Sequence, residues 1–153
     1  MNLKQKFRSA IRRGTGEAHL IIKKNPKVDF SKEIIKAAVF NFAYDQQSEG
    51  SRDIYIAELI DLSFQKDEIF LSLYEALKNE ESHDDWSTEH LLDIVTIFAK
   101  QGDKIAKQRI YECFDKYAKT GDWVGGYAIA EIDGLKGLLY VAEKKGEFFF
   151  ERL

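Results

Sequence analysis

The chain has 153 residues, 44% of them hydrophobic and 32% charged, with a net charge of −3. That balance supplies a core and excludes a disordered chain. The lone cysteine, Cys113, excludes an internal disulfide and a cysteine zinc cluster, and no apolar run approaches the roughly 20 residues of a membrane span.

The predicted elements follow as helix after helix. Leu3 to Arg13 reads as a basic helix stopped by Gly14-Thr15-Gly16. Glu17 to Lys24 is a short second helix with Ala18, Ile21 and Ile22 on one side, ended at Asn25-Pro26 because proline disfavours helical geometry at the residue before it. Ser31 is the expected N-cap of a helix over 32–43, whose stripe of Ile34, Ile35, Ala38 and Phe42 is widened by Val39 and Phe40. After the polar stretch 44–50, Ser51 is expected to cap a helix to about Phe64 with Ile54, Ala57, Leu59 and Ile60 inward.

Asp67 is the expected cap of the next helix, where Ile69, Phe70, Leu73, Ala76 and Leu77 recur with helical period. Beyond the acidic stretch 79–85, Ser87 opens a helix carrying Leu91, Leu92, Val95, Phe98 and Ala99 inward. Gly102 closes it, and Asp103 caps a helix lined by Ala106, Ile110, Cys113 and Tyr117, with Cys113 as a small buried hydrophobe. Gly121-Asp122 repeats the stop and cap before Trp123. Gly125, Gly126, Gly134 and Gly137 each lower helix propensity by roughly 1 kcal/mol relative to alanine but permit close approach. Two final helices are therefore expected, about 123–133 and 135–145. No stretch alternates at period two for the length of a strand.

The helix pattern returns after 36–37 positions. Ser51 falls on Ser87, Gln65 on Gln101, Asp67 on Asp103 and Ile69 on Ile105; Tyr74-Glu75 falls on Tyr111-Glu112, and Asp85-Trp86 on Asp122-Trp123. Such a period marks stacked helical hairpins, each too small to bury its own apolar face. In this layout the chain resembles HEAT-repeat proteins, most closely over 51–118 and more weakly over 15–43 and 122–145, although the proline common in the first helix of that repeat is missing. Small bacterial HEAT-repeat proteins of unassigned activity are similar in layout. The resemblance implies an all-α superhelix of the HEAT or armadillo-like class, about eight helices in roughly four hairpins, forming one domain over 1–153. It also implies a surface that binds a partner, most often a protein.

Charge is unevenly spread: residues 1–36 carry a net +7, residues 37–99 a net −11, and residues 100–153 a net +1. Arg8, Arg12 and Arg13, with Lys4 and Lys6, form a basic patch able to meet phosphate, although a charged outer face is also what a terminal helix needs. The loop bearing Tyr44, Asp45, Gln46, Gln47, Glu49 and Arg52 is dense in donors and acceptors and is the candidate partner-binding segment. His83 and His90 are separated by a loop-to-helix boundary, which matches no metal-ligand spacing. No nucleophile elbow, phosphate loop or dinucleotide fingerprint occurs. The expectation is a cytoplasmic, non-enzymatic protein–protein interaction module without cofactor, metal or membrane partner. The Phe148-Phe149-Phe150 end offers a contact between copies. The alternatives are a HEAT-like nucleic-acid-binding or DNA-glycosylase-type protein, which the acidic middle opposes, and an immunity-type protein that neutralises a toxin.

Overall fold

A computed structural model describes the backbone of residues 1–40, 49–78, 85–118 and 125–151, and the side chains of residues 1–38, 52–78, 91–117 and 125–146. Among the described residues the chain is all-α, with α1 (Leu3–Arg13), α2 (Glu17–Lys24), α3 (Ser31–Phe40), α4 (Glu49–Leu62), α5 (Lys66–Lys78), α6 (Asp85–Lys100), α7 (Lys104–Ala118) and α8 (Gly126–Glu151). None of these helices is long and apolar enough to cross a membrane. The chain divides into two compact units, Met1–Ala76 and Leu77–Leu153.

In the first unit α1 packs on α2 and α3, and α4 packs on α2 and α3. In its core Phe7 and Phe30 are buried with ring centroids 4.4 Å apart, and Ile11, Ala18, Ile22, Ile34, Ile56 and Leu59 are buried in the same unit. Helix ends are set by side chains. Asn2 and Gln5 form a reciprocal capping box, each side chain accepting the other's backbone N–H at 2.9 Å. Gly14 ends α1 in the left-handed region at φ 63°, where a side chain would be strained. Asn25 closes α2 through its backbone and its side-chain amide, which donates to the Ile21 carbonyl at 2.9 Å. Across the bundle, the buried Tyr55 of α4 donates its hydroxyl to the Thr15 carbonyl at 2.7 Å, fastening α4 to the α1–α2 turn.

In the second unit α6 packs on α7 and α8, and α7 on α8. Leu91, Leu92, Val95, Phe98 and Ala99 are buried as their spacing predicts, and so are Ala106, Ile110, Cys113 and Tyr117. Gly102 closes α6 at φ 103°, and the Asp103 carboxylate accepts the Ala106 N–H at 2.9 Å, the predicted stop and cap. The division of the last helix is also as predicted. Gly134, at φ 58° and ψ −133°, breaks α8, and the chain folds back until Gly137 meets the Ile129 carbonyl.

Several boundaries differ from expectation. The Asp29 carboxylate accepts both the N–H and hydroxyl of Ser31, at 2.9 and 2.5 Å, so Ser31 is the first helical residue and not the cap. These two bonds hold the Asp29 carboxyl below its usual range. Helix α4 begins at Glu49, placing Ser51 inside its first turn. Helix α5 begins at Lys66, and its first bond runs from Ile69 N–H to the Gln65 carbonyl, so Asp67 lies inside the helix. Helix α6 begins at Asp85, two residues before Ser87.

The inward face of α4 also differs. Ile54 is 54% exposed, while Tyr55 and Ile56 are buried with Ala57, Leu59 and Ile60. Packing by both α2 and α3 leaves α4 only one narrow solvent strip, and Ile54 lies on it with Glu58, Asp61 and Leu62. Burial follows the sequence period: Tyr55, Ile56, Leu59 and Ile60 of α4 correspond, 36 positions on, to Leu91, Leu92, Val95 and Thr96 of α6, all buried. Between α5 and α7 the offset is 37, pairing Ile69 with Ala106 and Leu73 with Ile110, and leaving Ile105 54% exposed. Gly121, Asp122 and Trp123 lie outside the described residues, as do the side chains of Trp86, His90 and Phe148-Phe149-Phe150.

Candidate functional site

Two helix faces with matching spacing meet in the second unit. Lys104, Lys107, Gln108 and Tyr111 recur at i, i+3, i+4 and i+7 on α7 and so share one side of it. Lys136, Leu139, Tyr140 and Glu143 repeat that spacing on the segment of α8 after Gly134. Between them lies a groove of about 610 Å³, with Asp133 at its edge where α8 bends.

The groove is braced by hydrogen bonds to carboxylates. Tyr111 donates its hydroxyl to Asp133, and Lys107 donates to the same carboxylate at 2.9 Å. Tyr140 donates to Asp115 at 2.6 Å, and the rings of Tyr111 and Tyr140 meet edge to face at 4.9 Å. The hydrogen bonds from Tyr111 and Lys107 hold the Asp133 carboxyl below its usual range, so it is ionised at neutral pH. Burial, then the bond to Asp133 and its charge, push the Tyr111 phenol above its ordinary value. Tyr111 is thus a neutral donor with its proton committed, and Asp133 an anion already engaged by two donors. This pairing favours recognition and positioning over proton transfer, which needs groups poised near the working pH.

Beside the groove, α8 leaves apolar side chains in solvent: Leu135, Leu138 and Leu139 are 72%, 55% and 62% exposed. With the exposed Ala142 they recur at i, i+3, i+4 and i+7, a continuous apolar row. Lys104 and Lys136 flank the groove and form no salt bridge with a described residue, whereas the nearby Lys100 pairs with Glu131 at 3.1 Å and Arg109 with Glu112 at 2.7 Å.

The predicted site residues fare unequally. Tyr44, Asp45, Gln46 and Gln47 lie outside the described residues, as does the side chain of Glu49, the first residue of α4; Arg52 is partly buried in the same helix. Arg8 and Arg12 are exposed on one side of α1 and line a groove with Lys36 of α3. Arg13 is drawn elsewhere, to Ser9 at 2.9 Å and Glu17 at 2.6 Å. Sequence reasoning did not find Tyr111, Lys107, Asp133 and Tyr140. Their only signal was helical spacing of polar groups on α7 beside a glycine-rich segment, and Tyr74, the counterpart of Tyr111 in the repeat, is instead buried against Phe70.

No protein-family model matches the chain, and comparison with curated proteins and with solved structures finds no match.

Proposed function

We propose that the protein is a non-catalytic interaction module, a cytoplasmic helical-repeat solenoid that grips a segment of a partner protein on the α7–α8 face. The repeat reading draws support from the packing of helices onto their second neighbours within each unit, as stacked hairpins require, and from buried positions that recur at 36–37 residues. The observation that carries the binding reading is the exposed row Leu135, Leu138 and Leu139 beside the braced groove. Contiguous exposed apolar surface rimmed by polar groups marks interaction sites. The partner segment is amphipathic, laying apolar side chains on Leu139 and carboxylates against Lys104 and Lys136, because complementary charge speeds and orients docking.

Photo-crosslinking tests this reading. A crosslinking amino acid at position 138 should capture a discrete partner in the source cell, and Leu135→Glu with Leu139→Glu should abolish recovery while the helical circular dichroism is kept. Undiminished recovery by the double variant, or no crosslinked species above that from a control site at exposed Lys24, would reject the face.

A further inference from the structure

We propose that α1 and α3 carry a second site, for a small ligand bearing two or more phosphate groups. Two adjoining grooves of about 550 and 380 Å³ lie along these helices and share Arg8 and Lys36. Lys4 and Lys32 line the larger and Arg12 the smaller. Lys4, Arg8 and Arg12 recur every fourth residue along one side of α1, and Lys32 and Lys36 do so on α3, so five cations converge from two packed helices.

The helix dipole accounts for Arg12, in the last turn of α1, but not for the other four cations. Like charges four apart on a helix repel. Lys4 and Lys32 stand in the first turns of their helices, at the positive ends, where the backbone dipoles favour an anion. Elsewhere cations find partners: Arg13 pairs with Glu17, Lys66 with Asp61 and Lys107 with Asp133. Lys4, Arg8, Lys32 and Lys36 form no salt bridge with a described residue. The carboxylate in the lining is Glu33, buried, with its Oε2 accepting no hydrogen bond. Asp29 feels the charges of Lys4 and Lys32, but its Oδ1 accepts the Ser31 N–H and hydroxyl. An anion entering the grooves would relieve both the mutual repulsion and the opposition to the helix dipoles.

Size and charge select the class of anion. Each groove falls within the roughly 300–1,000 Å³ of small-molecule sites, and two that share cations suit phosphates linked in one molecule. The geometry therefore points to a compact oligophosphate.

Inorganic tripolyphosphate is the probe, titrated into the full chain by calorimetry at about 0.15 M salt. Saturable binding at one site is expected, weakened at least tenfold by Arg8→Glu or Lys36→Glu and within twofold of wild type for Lys24→Glu. These side chains are exposed, and circular dichroism verifies that the variants fold; Arg8→Gln with Lys36→Gln provides the charge-neutral counterpart and should also weaken binding tenfold or more. No saturation would overturn the proposal, as would equal weakening by Lys24→Glu, which means diffuse charge. Binding of single-stranded RNA or of phosphatidylserine vesicles that tripolyphosphate fails to displace would equally overturn it, assigning the face to a polymer or a membrane.

Discussion

Tyr111 donates its hydroxyl proton to Asp133, and the next residue, Gly134, is where α8 folds back. The bond ties α7 to the bend itself, so the shape of the groove depends on it.

Tyr111→Phe should therefore destabilise the protein by about 1–2 kcal/mol, somewhat less than the usual worth of a hydrogen bond to a charged group, because the groove is open to water. The loss should vary with pH at both ends. The Asp133 carboxyl is lowered from 3.8, so its contribution is full above that value and fades as pH falls through the lower folded value. The phenol is raised from 10.0, so its contribution is full below that value and fades as pH rises past it. Urea titrations across pH should show a wild-type-minus-variant gap that is flat in the middle and narrows at both extremes; a gap constant from pH 2 to 11 would contradict the assignment.

Three glycines in α8 should respond differently to alanine. At Gly134, with φ 58° and ψ −133°, the cost should be about 1–3 kcal/mol from backbone strain. At Gly137 a Cβ would stand 2.3 Å from the Ile129 carbonyl oxygen, so the two segments must separate and the loss should exceed that at Gly134. At Gly146 nothing lies within 4 Å, and alanine should stabilise by up to about 1 kcal/mol through helix propensity. Denaturant midpoints give the order directly, and a stable Gly137→Ala protein would refute the close approach.

Tyr55→Phe removes the hydroxyl that reaches the Thr15 carbonyl while keeping the ring against His19, whose centroid is 5.0 Å away. A loss of about 0.5–1.5 kcal/mol is expected. Hydrogen exchange should quicken in the α1–α2 turn; protection unchanged there would mean that the bond contributes nothing to holding the turn.

Asp103→Ala and Asp67→Ala separate a true cap from a first-turn acid. Asp103 accepts the Ala106 N–H, so its loss should cost about 0.5–2 kcal/mol. Asp67, inside α5, helps only through the helix dipole and should cost about 0.3–1 kcal/mol. Equal losses in thermal unfolding would show that the repeat makes the two aspartates equivalent after all.

That pair also shows how far the fold was legible. Apolar residues at helical spacing identified each helix, and Gly14, Asn25, Gly102 and Gly134 marked ends that the structure retains. Caps were legible where one side chain does the work, as at Asp103. They were misplaced where the group that bonds the helix end sits earlier, as with Asp29 before Ser31. Ile54 was misjudged because a helix packed on two sides turns only a thin strip to water, and periodicity alone does not say which strip. Of the groove, nothing in the sequence singled out Leu135, Leu138 and Leu139, since a sequence shows spacing but not which side of a helix finds a neighbour.

The contact between Gly137 and the Ile129 carbonyl gives the bend in α8 a direction. The two segments already meet with no side chain between them, so the angle at Gly134 has a mechanical stop on its closing side. Closing of that angle is met by backbone against backbone, with no side chain there to yield, like a door resting against its frame.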